Sequence, residues 1–452
     1  MRSLLAILFF SPLLACSGDA GSDKDTSSTD DTADTDDTND TDDTDVDVPC
    51  VEENGACILE GVITEDTRLT ADKAWLLRGG VWFGDGTANV TLTIDAGTKI
   101  YGENASNGFL VINRGAKINA VGTNTNPIIF TSDQAVGSRA RGQWGGLVIN
   151  GKAPINACAD VDGADPCEAE GEGGTGVYGG TNPADDSGTL KYVRIEFGGT
   201  EISADNEING LSLQGVGNAT DIEFIQIHRN LDDGVEFFGG TVNIKHLFVT
   251  EVGDDSIDWT LGYSGKIQHA LVVQAADAGG HGFELDNNED DYAATPLTGG
   301  IVSNVTLIGS TAIAEDNFGL LIRRGSAGQF WNIAATGFTA GCLGIRDEET
   351  YGHFTSGTAA IAYSALACAS NFETEDAGEE DVGGTEDAVF AAGPGNFETT
   401  DLELSGFQPA AGSPLLGAGM APSDSFFDAT NYIGAFDGTN DWTAGWTDTS
   451  DN

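Results

Sequence analysis

Three short segments, Gly234-Val235-Glu236-Phe237, Ser256-Ile257-Asp258-Trp259 and Gly282-Phe283-Glu284-Leu285, each place one acid between two apolar residues. In an extended strand alternate side chains point to opposite faces, so the apolar pairs face one way and Glu236, Asp258 and Glu284 the other. If the segments occupy successive turns of a coil, these carboxylates stack about 4.8 Å apart. Two charges at that distance repel by about 3.5 kcal/mol at an effective dielectric near 20, and by about 1 in water. Asp232-Asp233 and Asp254-Asp255 precede two of the segments and Asp286 follows the third, adding like charge. A bound cation, a nearby base or a raised pKa must relieve such a stack. Hard carboxylate oxygens from Glu236, Asp258 and Glu284 suit Ca²⁺. Paired carboxylates also do acid-base chemistry, and aspartates occur in tight turns for purely structural reasons.

The stacking requires a coil, and the sequence predicts one. Lys191-Tyr192-Val193-Arg194-Ile195 is echoed by Glu223 to Ile227, Lys245 to Val249, Gln268 to Val272 and Ser303 to Leu307. The acidic segments repeat in phase with this second series. A basal period near 22 residues with insertions fits three short strands and three turns per coil. Earlier runs at Asn89 to Ile100, Phe109 to Ile118, Ile128 to Phe130 and Trp144 to Ile149 read as preceding coils. Glycine is abundant (63 of 452 residues), and no amphipathic helix of three turns follows residue 50. In-phase repetition of two different strands separates this pattern from a barrel or sandwich. The predicted fold is all-β, a parallel β-helix over 50–452 with a C-terminal capping segment from about 405.

Net charge is −53, which excludes nucleic acid as a partner. Between Ser17 and Val48 aspartate recurs with one base, Lys24, and Thr-Asp-Asp-Thr returns every six residues. Such a segment cannot bury apolar surface and reads as a solvated, extended tether over 16–49. The six cysteines after Cys16 read as an extracytoplasmic disulfide set, and proximity favours Cys50–Cys57, Cys158–Cys167 and Cys342–Cys368. His228, His246 and His269 read as surface or satisfied core positions, and Arg139, Arg141 and Arg194 as ion-pair partners. Trp144, Trp259 and Trp331 are candidate sugar platforms, with Trp259 more readily a core residue.

Met1-Arg2-Ser3 and the short apolar run to Leu14 form a secretory leader too short to span a bilayer. Its end, Leu13-Leu14-Ala15-Cys16, resembles the bacterial lipobox. The resemblance implies cleavage after residue 15 and lipidation of Cys16, and hence a protein anchored in the cell envelope, at the outer membrane or cell surface.

Gly188-Thr-Leu-Lys-Tyr-Val-Arg-Ile-Glu-Phe197, Glu207-Ile208-Asn209-Gly210-Leu211, Phe238 to Asn243, Gly137 to Gly142, Tyr432 to Phe436 and Trp442 to Trp446 resemble a bacterial surface lipoprotein family. That resemblance implies a right-handed, pectin-lyase-like β-helix and no settled activity. Asn230-Leu231-Asp232, Asp254-Asp255, Gly280-His281-Gly282 and Ile322-Arg323 are similar in order to the motifs of polygalacturonase-type glycoside hydrolases. By that likeness Asp255 is the general acid, Asp232 and Asp254 activate water, His281 helps hold the acid's proton, and Arg323 contacts substrate. Leu231 stands where those enzymes have threonine, and Leu321 where they have arginine. Inversion needs carboxyl groups about 6.5–9.5 Å apart.

Three functions follow, in this order. The first is a ligand-binding or adhesive surface protein, calcium-dependent through the ladder, whose partner is a polysaccharide or a surface protein. The second is a surface polysaccharide hydrolase, and the third a structural envelope component. Whether the chain is an enzyme is left open by its sequence.

Overall fold

A computed structural model describes residues 50–158, 166–203, 206–313, 316–373 and 385–450. The leader, Cys16 and the aspartate-rich tether lie outside the described residues. No described helix is long and apolar enough to cross a membrane.

Twenty-five of the described strands join in one continuous sheet, and three short two-stranded pairs lie outside it. It is parallel throughout, except where Val51–Glu53 folds back antiparallel on Ala56–Ile63 at the N-terminal end. The repeats pair in the predicted register: Lys191 with Glu223, Glu223 with Lys245, Lys245 with Gln268, and Gln268 with Ser303. The chain is therefore a parallel β-helix. Val235, Phe237, Ile257, Trp259, Phe283 and Leu285 all belong to one continuous core inside the coil. Each coil is short, so the core is a column of stacked side chains rather than a globule.

The first strand of each repeat breaks at its second residue. Tyr192, Phe224, His246, His269, Asn304 and Asn332 all take φ between 51° and 60°, a conformation that costs most side chains energy. The turn aims them out of the sheet in a vertical stack. Tyr192 lies on Phe224 at 4.4 Å between ring centres, Phe224 on His246 at 4.2 Å, and His246 on His269 at 5.0 Å.

The C-terminal segment runs back along this stack. Met420 exchanges hydrogen bonds with Asn332, Asn304 donates to Tyr432 O, and Gln268 pairs with the Asp428 backbone. Trp442 then packs on His246, and Trp446 meets Tyr192 and Phe224 edge-on. His228 ends the series, with Nε2 on Ser450 O at 3.0 Å and Nδ1 on the Thr250 hydroxyl. The predicted cap is thus a lateral strap along the coil, because the stack offers it amide and ring partners. His228 and His246 have hydrogen-bond partners, as expected of satisfied positions, whereas His269 is buried with Nδ1 lacking a described partner.

The three local disulfides form as predicted, with Cα–Cα separations of 5.2, 5.7 and 5.7 Å. Trp144 and Trp259 are fully buried and serve as core residues rather than sugar platforms. Trp331 stacks on Tyr363 at 5.7 Å.

Candidate functional site

Glu236, Asp258 and Glu284 occupy one row. Pairing joins Ser212 to Glu236, Glu236 to Asp258, Asp258 to Glu284 and Glu284 to Leu321. The stacking that the repeats imply is therefore real, and the three acids face away from the core. They are not fully exposed: Glu236 shows only 9% of its surface, and Asp258 and Glu284 are half-buried.

A wall built from insertions accounts for the burial of Glu236. Ala169–Glu170 pairs with Val177–Tyr178 around the tight turn Glu172–Gly174, and Glu201–Ser203 pairs with Asn206–Glu207. Ile208 seats this wall on Phe109, Val111 and Val148, the apolar neighbours of the acidic row. The wall adds Glu172 and Glu207 to the acids, and the Asn209 amide donates to Glu236. Sequence reasoning missed Glu172 and Glu207, which come from insertions outside the repeat, and Asn209, which precedes Leu211–Gln214 on the coil as Asp233 precedes Val235–Phe238.

The turns before the row form a second ladder, built on backbone capping. Asp233 Oδ1 accepts from the Asp255 N–H at 2.9 Å, and Asp255 Oδ1 accepts from the His281 N–H. His281 Nδ1 accepts from the Phe318 N–H at 3.1 Å, so its proton sits on Nε2, 3.5 Å from Glu284. Gly280 replaces an acid at the third level, where a Cβ would stand 2.4 Å from both Asp254 and Asp255 carboxylates. One oxygen of Asp255 and one imidazole nitrogen of His281 are thus spent on the backbone. His281 Nε2 stands 3.5 Å from Glu284, and Asp255, His281 and Glu284 each bring one ligand atom within 4.8 Å of the others. Asp232 is half-buried and Asp254 exposed, and these two face outward.

The site's bases stand at one end. Arg323 bonds Glu284 and reaches Asp286 at 2.8 and 3.3 Å, and Arg324 reaches Asp286 at 2.8 Å. Arg323 is therefore a counterion within the ladder, engaged on both sides rather than free for a substrate. Glu284 belongs to this end.

At the other end Asp233, Glu236 and Asp258 bring carboxylate oxygens within 4.8 Å of one another, as do Asp232, Asp233 and Asp254. Asp258 Oδ1 is buried with no described hydrogen-bond partner, and so is Asn209 Oδ1. Asp255, His281 and Glu284 form a third group within the same distance. The group that holds the orphaned Asp258 oxygen contains Asp233 beside the expected Glu236 and Asp258.

Electrostatics follow from this crowding. Burial, then neighbouring charge from Asp255, Asp232, Asp258 and Glu236, holds the Asp233 carboxyl well above its ordinary range. Burial followed by Glu236 and Glu284 does the same to Asp258. Asp232 is pushed up to about 7 by burial, then by Asp254 and Glu207, and Glu172 to about 7 by burial, then by Asp232. Glu284 reaches about 7 because burial outweighs the opposing charge of Arg323. Burial pushes His281 down to about 4, so it is neutral at physiological pH.

Oxygen-only ligands, negative charge and orphaned acceptors fit a divalent cation of the Ca²⁺ type. No curated protein and no solved structure matches the chain. A family match covers residues 61–447, the whole coil from its second strand to the strap, and by it the chain belongs to the family of pectate-lyase-like beta helix domains.

Proposed function

We propose that this is a lipid-anchored protein of the bacterial cell surface whose β-helix binds an anionic polysaccharide through a Ca²⁺ ion held by Asp233, Glu236 and Asp258. One observation carries the reading: Asp258 stands between stacked carboxylates with a buried, unpartnered oxygen, while the bases of the site are committed at the far end. A protein of net charge −53 repels an anionic chain unless a cation mediates the contact. When bound, the ion supplies positive charge and open coordination positions to an acidic ligand. The protein residues hold it, orient it and exclude water on the wall side. Cys16 supplies the anchor, the aspartate-rich segment spaces the body from the membrane, and the coil displays the site.

The test is binding of the purified protein to a panel of acidic polysaccharides in Ca²⁺ and in chelator. Retention only in Ca²⁺, lost in Asp258→Asn, is the expected result. Equal retention in chelator removes the cation from the account.

A second reading, hydrolysis, has one observation in its favour. Asp232, pushed up to about 7 beside the exposed Asp254, holds a proton near neutral pH as an acid-base group must. A reducing-sugar assay on the same panel decides it: release that is lost in Asp232→Asn supports hydrolysis, and no release excludes it.

A further inference from the structure

The outward row that carries the acids continues toward the N-terminal end as Val148, Val111, Trp82 and Val62. Trp82 lies about 19 Å from Glu236 by coil spacing, on the other side of the wall. Its indole folds back over its own strand at Gly80, where a Cβ would stand 2.1 Å from the ring, so only glycine leaves it room. Phe109 meets it edge-on at 5.3 Å and 86°. Held from beneath and from one side, the half-exposed ring forms part of a cavity of about 580 Å³, with Val62, Asp85, Asn113, Arg114 and Val177.

The polar groups of the cavity are poised but incompletely used. Arg114 gives hydrogen bonds from Nη1 alone, to Glu168 at 2.5 Å and Gly179 O at 3.1 Å. No described residue accepts from its Nε or Nη2, the edge that matches a carboxylate with two parallel bonds. Asn113 donates to Gly84 O, which leaves its oxygen as an acceptor. Asp85 spends Oδ1 on Thr87 and Ala88, which leaves Oδ2 for a hydroxyl. An aromatic platform, a forked cation and scattered acceptors in one concavity are what a sugar ring with an acid substituent needs.

We propose that the Trp82 cavity is a separate binding site for a saccharide unit bearing a carboxylate, recognised by Arg114 without a metal ion. It shares the carbohydrate part of the proposed function but not its cation. The test is tryptophan fluorescence in chelator, titrated with trimers of galacturonic, glucuronic and mannuronic acid and with neutral galactotriose. Trp75, Trp144, Trp259 and Trp446 are buried, so quenching reports on the remaining indoles. At least one acidic trimer is expected to quench, and Trp82→Ala to abolish the signal. Trp82→Phe keeps a platform and should retain binding by calorimetry. Arg114→Lys, which preserves the charge opposite Glu168, should weaken the acidic trimer about tenfold and leave galactotriose unchanged.

Unchanged quenching in Trp82→Ala, or unchanged affinity in Arg114→Lys, overturns the proposal. So does binding that needs Ca²⁺ and vanishes in Asp258→Asn, which would place the sugar at the acidic site. If no trimer binds, this inference fails, while a Ca²⁺ effect on melting still speaks for the cation site.

Discussion

Two vertical stacks run up this coil, and they obey opposite electrostatics. On one side Tyr192, Phe224, His246 and His269 continue into Asn304 and Asn332, flat rings and amides that gain by lying on one another and on the strap. On the other, Glu236, Asp258 and Glu284 lie in the same coil-to-coil register, and like charges lose by it. The first stack is covered by its own chain, with His269 Nδ1 left as a buried nitrogen without a described partner. The second has a partial counterion, Arg323 with Arg324, at one end. A fold that repeats positions at close spacing magnifies whatever it repeats. The costly stack is relieved within the chain by these arginines and by carboxyls whose pKa values are raised, and under the proposed function a bound cation adds to that relief.

Breaking the covered side should cost most. Trp446→Ala removes a buried ring that meets both Tyr192 and Phe224, and should lower stability by about 3–5 kcal/mol in a denaturant melt. Arg323→Gln leaves Glu284 and Asp286 short of a counterion, and should cost about 2–3 kcal/mol in chelator. Much of the part that comes from Glu284 should return in acid, where its carboxyl protonates.

Asp258→Asn should do the reverse. In chelator it relieves repulsion and raises stability by about 1 kcal/mol, while any stabilisation by Ca²⁺ is lost.

The pH dependence sharpens the contrast further. Asp232, Glu172 and Glu284 have folded pKa values raised to about 7. Their contribution is fully present below the ordinary carboxylate range, near 4, and is lost as pH rises through about 7. Metal-free protein should therefore lose melting temperature between about pH 4 and pH 7. Ca²⁺, which favours the ionised forms, should flatten that fall. A metal-free melting temperature that climbs across the window would contradict the raised values.

The repeats were legible because the coil imposes a period on core positions: Val235, Ile257 and Phe283 announce their register as plainly as their burial. The carboxylate row followed from alternation alone. What stayed hidden came from residues outside the period. The wall carrying Glu172 and Glu207 is made of insertions, seated through Ile208, while Asn209 takes the register position of Asp233 one coil earlier, with an amide in place of an acid. Asp233 read as a turn residue, and it is one, yet its capping bond to Asp255 also fixes its carboxylate beside Glu236 and Asp258. The stack from Tyr192 to Asn332 was invisible because its members share a backbone conformation rather than a side-chain type. Trp82 escaped notice among other tryptophans, since only the neighbouring Gly80 marks its ring as lying flat.

The most direct measurement is a calorimetric titration of Ca²⁺ into the folded protein at pH 8, alongside Asp258→Asn. Saturable binding to the wild type that disappears in the variant is the predicted result. An absence of binding, or equal binding by both proteins, would contradict a cation held by Asp233, Glu236 and Asp258.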